Sequence, residues 1–226
     1  EYNHGAMDRR AFLGKLSMLA GGVAAADALL PLLETNSAQA AVVPKDDSRL
    51  GTEYIKYPGV DGDMRAYLAM PKGDAKLPAV IVVHENRGLN AHIEDVARRI
   101  ALEGYLVIAP DALSPVGGTP ADSNEAIKLI GKLDAKANTG NFVAAVKYLK
   151  THPQSTGKVG VVGFCWGGAV SNQLAVNAPD LVAAVPYYGR QPVDADVPKI
   201  KASLLLHYAE NDANVNKGIE AYEAAL

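Results

Sequence analysis

Cys165 is the single cysteine of the chain, and it lies in Gly163-Phe164-Cys165-Trp166-Gly167-Gly168. A short apolar run, Lys158-Val159-Gly160-Val161-Val162, precedes that segment, and small and apolar residues from Ala169 to Ala175 follow it. A strand entering and a helix leaving Gly-x-Cys-x-Gly put the thiol on a sharp turn. The flanking glycines fit a strained backbone and a close approach of helix to strand, where no side chain has room. The thiol then stands at a helix N-terminus, whose dipole is expected to favour the thiolate. A thiolate presented in this way is a nucleophile for acyl transfer.

Two other segments place reactive groups after apolar runs. His84-Glu85-Asn86-Arg87-Gly88 follows the run ending at Val83, and Tyr208-Ala209-Glu210-Asn211-Asp212 follows His207. The strand–nucleophile–helix layout is that of an α/β-hydrolase elbow, with Cys in place of Ser; there the triad runs nucleophile, acid, histidine along the chain. Cys165 and Asp212 fill the first two places. The backbone N–H groups of Trp166 and Asn86 are the expected oxyanion donors. Glu85 at a strand end is costly to bury unless paired, which points to a role in the site. Tyr187 and Tyr188 are candidates to reach the pocket, with at least one of them packing in the core. His84 and His207 read as core histidines, and His152, before Pro153, as surface. Neighbours on a strand point to opposite faces, so His84 and Glu85 do not converge on a metal, and no cofactor is expected.

The elements that must position these groups are legible in the periodicity. Residues 52–58 and 64–70 read as an antiparallel pair across Gly59-Val60-Asp61-Gly62-Asp63. Leu77–Val83 reads as a buried central strand. Ile93, Val96, Ala97, Ile100 and Ala101 fall at helical spacing after Asn90, with Gly104 suited to the cap. Tyr105–Ala109, the elbow strand, Val182–Tyr187 and Ser203–Tyr208 are further strands. Ala121–Leu133 and Ala137–Lys150 read as helices. Strands alternating with helices predict an α/β fold with a mostly parallel sheet and helices on both faces; the elbow around Cys165 makes the expectation an α/β-hydrolase fold.

On these segments the chain resembles the dienelactone hydrolase (carboxymethylenebutenolidase) family. The matching pieces are His84 through Asn90, Gly104 through Asp111, Gly157 through Gly168, Tyr187-Tyr188-Gly189, and His207 through Asp212. The resemblance implies hydrolysis of enol lactones or related esters by a Cys-His-Asp triad through a thioester. It also implies that Glu85 pairs with the resting thiol and releases it as thiolate once substrate binds. The family's histidine lies one helix and one strand beyond its aspartate, and no histidine follows His207 here. The expectation is a chain truncated before that histidine, lacking the last helix and strand of the fold; the other reading is a pseudoenzyme. Family members acting on dienelactone carry an arginine after the Pro110-Asp111 position, where this chain has Ala112-Leu113-Ser114-Pro115. Arg87 and Tyr188 are the candidates for substrate binding, with Arg190 as a further cation. The alternatives to a lactone hydrolase are a general carboxylesterase and a non-catalytic or redox-sensing periplasmic protein.

The N-terminal forty residues read as a separate segment. Met7-Asp8-Arg9-Arg10-Ala11-Phe12-Leu13-Gly14-Lys15 is followed by an apolar stretch and by Ala38-Gln39-Ala40. Basic start, apolar middle and small-x-small end are the pattern of a secretory signal, here of twin-arginine type. The expectation is a signal over residues 1–40, a hydrolase domain over 41–226, and a periplasmic protein handed over by export machinery. No unbroken apolar run of about twenty residues is present, so no stable membrane anchor is expected. Net charge is −3, which gives no reason to expect nucleic acid as a partner. With 49% apolar and 21% charged residues, the chain is globular rather than disordered. A lone cysteine excludes an internal disulfide framework.

Overall fold

The computed structural model describes residues 41–226, and the expected signal segment lies outside them. The elements in chain order are β1 (Leu50–Pro58), β2 (Asp63–Pro71), β3 (Leu77–Val83), α1 (Ala91–Leu102), β4 (Leu106–Pro110), α2 (Ser123–Ile130), α3 (Ala135–Thr151), β5 (Ser155–Phe164), α4 (Trp166–Asn177), β6 (Leu181–Tyr187), β7 (Ser203–Leu204), α5 (Ala213–Asn216) and α6 (Ile219–Ala225). The strands form one sheet of seven, in the order β1-β2-β4-β3-β5-β6-β7. β1 and β2 pair antiparallel, as does β2 with β4. Every other pairing is parallel. This is the mostly parallel sheet expected from the alternation of strands and helices.

Period-two alternation sorts the central strands onto two cores. Ile81 and Val83 of β3, with Leu106 and Ile108 of β4, join Phe142, Leu149, Val170 and Leu174 of α3 and α4 on one face. Val82, Val107 and Ala109 join Ile93, Ala97 and Ala101 of α1 on the other. Both faces of the inner sheet are therefore covered, which explains why these strands read as near-continuous apolar runs. Asn90 caps α1, its side chain accepting from the N–H groups of His92 and Ile93 at 3.1 Å each. Gly104 follows the cap residue with φ of 92°, a left-handed conformation that suits glycine.

Chain order decides where a site can form. After β3 the chain moves outward to β4, then crosses back to β5 on the other side of β3 and continues to β6 and β7. The crevice between the carboxyl ends of β3 and β5 is thus a topological switch point, the usual place for a ligand in an open α/β sheet. Val83 pairs with Gly163, and Phe164 with Tyr187, so the three strand ends lie side by side.

Two elements differ from expectation. The strand expected over Ser203–Tyr208 is regular only at Ser203–Leu204. Its ladder with β6 nonetheless continues, because Leu205 N–H donates to Ala184 O at 3.0 Å and His207 N–H to Pro186 O at 3.1 Å. α2 is shorter than the expected helix over 121–133, since the Asp122 side chain caps it by accepting from Asn124 N–H.

Phe142 has no solvent exposure and sits under the Trp166 ring, edge to face at 6.5 Å between centroids. Phe142→Ala is expected to cost about 3–5 kcal/mol of stability, read from urea unfolding. A loss under about 1 kcal/mol would show that the packing beneath the elbow does not hold it.

Candidate active site

Cys165 stands between β5 and α4 with φ 55° and ψ −113°. That backbone is unfavourable for a residue with a Cβ, by on the order of 1–3 kcal/mol, and persists only where the surroundings hold it. Here they do. Cys165 N–H donates to Tyr187 O at 3.0 Å, and Cys165 O accepts from Ala169 N–H at 3.1 Å. Ser171 donates to Gly167 O at 2.9 Å. The glycines allow the approach: a Cβ on Gly163 would lie 2.5 Å from Ser171 Oγ, and one on Gly167 would lie 2.9 Å from the Val83 carbonyl carbon. The residue is exposed, so the thiol is open to a ligand.

Glu85, Asp212 and Tyr188 are brought to this thiol. The Cys165 pKa is raised: partial desolvation is the largest cause, the Trp166 N–H opposes it, and the negative charges of Glu85 and Asp212 add to it. The expectation that the helix N-terminus would hold a thiolate is thereby corrected. One favourable N–H is outweighed by lost solvation and two carboxylates, so the resting group is the thiol. The Tyr188 phenol is raised as well, chiefly by desolvation and then by Glu85 and Cys165. Tyr188 also has a positive φ of 40°, with its N–H donating to His207 O at 2.7 Å. Tyr187 packs instead, its ring stacked on His207 at 4.3 Å. Asp212 caps the short α5 through Oδ1, which accepts from Val215 N–H at 3.1 Å.

The loop after β3 is held from three sides. His84 is fully buried. Its Nε2 accepts from Ala112 N–H at 3.1 Å, its Nδ1 lies 2.6 Å from Glu85 O, and its ring stacks on Trp166 at 5.3 Å. The Trp166 ring therefore packs inward on His84 and Phe142. Asp111, also fully buried, accepts from Leu113 N–H, Thr119 N–H and Thr119 Oγ1. Thr119 Oγ1 in turn accepts from Leu89 N–H at 2.9 Å. Asp111 and Thr119 thus clamp the loop after β4 to the loop after β3. No pattern in the sequence marks Thr119, whose partners lie 8 and 30 positions away. Among the described residues no group accepts from Asn86 N–H.

Arg87 is exposed, and its charge is not among those acting on Cys165. Arg190 lines a cavity of about 200 Å³ beside α4, together with Trp166, Gln173 and Gln191. His152 is half-buried rather than on the open surface, its ring edge to face with Tyr148. Among the described residues no group of three or more His, Cys, Asp or Glu is placed to hold a metal ion. No described helix is long and apolar enough to cross a membrane.

The model of the dienelactone hydrolase family matches residues 64–226. The chain belongs to the dienelactone hydrolase family. An Escherichia coli K12 protein provisionally named carboxymethylenebutenolidase is 33% identical over 202 residues, covering 82% of this chain and 74% of that protein. The carboxymethylenebutenolidase of Pseudomonas putida is 31% identical over 170 residues, covering 71% of this chain and 72% of that one. A crystal structure from Klebsiella pneumoniae, provisionally named a dienelactone hydrolase, superposes with a TM-score of 0.69 at 29% identity, over 78% of this chain and 80% of that chain. This dienelactone hydrolase-family member is a hydrolase by family, and its elbow carries cysteine.

The charges around the thiol generate a direct test. Glu85→Gln removes one of the two carboxylates that raise the Cys165 pKa. The pH profile of iodoacetamide alkylation is expected to shift to lower pH, with faster alkylation near neutrality. An unchanged or upward-shifted profile would show that Glu85 does not act on the thiol.

Proposed function

We propose that this protein hydrolyses a small ester or lactone, with Cys165 as nucleophile and a thioester intermediate. The observation that carries the reading is the strained elbow. It presents an exposed thiol at the head of α4, within reach of the charges of Glu85 and Asp212. In the resting state the thiol keeps its proton, and Glu85 takes the part the family pattern gives it, that of the thiol's acceptor. Substrate binding frees the thiolate, the thiol proton passing to Glu85, and Sγ attacks the carbonyl carbon. The carbonyl oxygen becomes an oxyanion between the N–H groups of Trp166 and Asn86. Collapse expels the alkoxide, which takes up the proton removed from the thiol, and leaves the acyl group on Sγ; water then hydrolyses the thioester to the acid and restores the thiol. In a lactone the alkoxide and the acyl group belong to one molecule, so ring opening is the acylation step.

Asp212 takes the part of triad acid, with Oδ1 fixed by Val215 N–H. Among the described residues no histidine pairs with Cys165. His84 is engaged at both ring nitrogens, and His207 is stacked on Tyr187. The triad histidine is therefore taken from the family pattern, which places it C-terminal to Asp212, where residues 213–226 hold none. Tyr188, beside the thiol, is assigned to substrate binding. Arg87 is a looser candidate for an anionic substrate group. The name carboxymethylenebutenolidase borne by the P. putida relative supports a lactone. The loop directly after Asp111, Ala112 to Pro120, carries no arginine, which keeps simple esters in the range.

A form carrying the histidine that the family pattern places C-terminal to Asp212 is expected to release p-nitrophenol from p-nitrophenyl acetate, and Cys165→Ala to lower that rate by about 10⁴-fold or more. Turnover that survives Cys165→Ala would rule out the thiol as nucleophile. Absence of turnover together with ready oxidation of Cys165 to a sulfenic acid would favour the redox-sensing alternative.

A further inference from the structure

We propose that His84 is a positioning residue for the oxyanion hole, fixing the Glu85–Asn86 peptide so that the Asn86 N–H faces the developing charge. This role rests on the thiol-hydrolase reading above.

The tautomer follows from the hydrogen bonds. Nε2 accepts from Ala112 N–H at 3.1 Å, so that nitrogen carries no proton. In the neutral ring the proton is then on Nδ1, which lies 2.6 Å from Glu85 O and donates to it. The ring cannot turn away. It has no solvent exposure, and it lies flat on the Trp166 indole, with 13° between the planes. Burial also lowers the His84 pKa and favours the neutral ring. The nearby Asp111 carboxylate is committed to Leu113 and Thr119.

Holding the Glu85 carbonyl settles the direction of the next amide. The chain has no cis peptide bond among the described residues, and in a trans peptide the C=O and the following N–H point in opposite directions. With Glu85 O turned to His84, Asn86 N–H points away from the ring, and no described group accepts from it. Gly88 N–H is the second donor to Glu85 O, at the longer distance of 3.3 Å. It closes the turn but does not replace the shorter bond. The same ring stacks on the residue that supplies the other oxyanion donor, so His84 sets the spacing of both amides.

The test compares two reactions of Cys165 in the full chain. Acylation by p-nitrophenyl acetate passes through an oxyanion, whereas alkylation by iodoacetamide is a displacement at carbon that does not. His84→Phe keeps an aromatic ring against Trp166 and removes the donor. Acylation is expected to fall by on the order of 10²-fold, with alkylation unchanged. His84→Asn puts an amide N–H near the place of Nδ1 and is expected to recover most of the acylation rate. His84→Gln reaches instead toward the place of Nε2 and is expected not to. The Asn and Gln pair decides the matter if the Phe variant does not fold. Acylation at the wild-type rate in His84→Phe would overturn the role. So would acylation and alkylation falling together with no recovery in His84→Asn. A wild-type chain that alkylates but is never acylated would instead overturn the thiol-hydrolase reading, and this role with it.

Discussion

The backbone of Cys165 can hold a φ of 55° only because β3, β5, β6 and α4 meet around it. Its amide is tied to the end of β6 and its carbonyl to the second turn of α4. Gly163 and Gly167 let the start of α4 sit directly against the ends of β5 and β3. A side chain at either glycine would push the helix off, and the thiol would leave the crevice. A strain of on the order of 1–3 kcal/mol is thus offset by contacts that also aim the nucleophile. The seven-stranded sheet, with apolar cores on both faces, is the rigid support that makes this geometry possible.

Electrostatics then set the state of the thiol. A cysteine at a helix N-terminus is ordinarily pushed toward thiolate. Here partial desolvation and two carboxylates push the other way and win. The arrangement suits a nucleophile that stays protonated, and so less prone to oxidation, until a ligand rearranges the charges. It also gives the two acids separate work. Asp212 is fixed by its capping bond on α5, while Glu85 rides on the loop after β3. That loop is itself clamped by His84 and by the Asp111–Thr119–Leu89 chain of hydrogen bonds.

Much of this was legible in the sequence. The Gly-Phe-Cys-Trp-Gly-Gly segment, after an apolar run and before small residues, marked the elbow. Leu77–Val83 stood out as a buried strand because both its faces are apolar, and Asn90 and Gly104 bracketed α1 by their capping chemistry. The parts that were not legible depend on contacts between distant positions. The state of the Cys165 thiol depends first on its partial desolvation in the fold, and then on Glu85 and Asp212, far from it in the chain and brought to it only by the fold. His84 was readable as a core histidine, but its two hydrogen bonds and its stack on Trp166 exist only in three dimensions. The strand over Ser203–Tyr208 lost regularity at the sheet edge, where pairing with β6 on one side alone constrains it.

The central claim is that Cys165 carries the acyl group. Rapid acid quench of the full chain during reaction with p-nitrophenyl acetate, followed by peptide mass mapping, tests it most directly. The account predicts an acetyl mass increment confined to the peptide containing Cys165, labile to hydroxylamine at neutral pH as a thioester is. Product release without any adduct on Cys165, or an adduct on another residue that persists in Cys165→Ala, would contradict it.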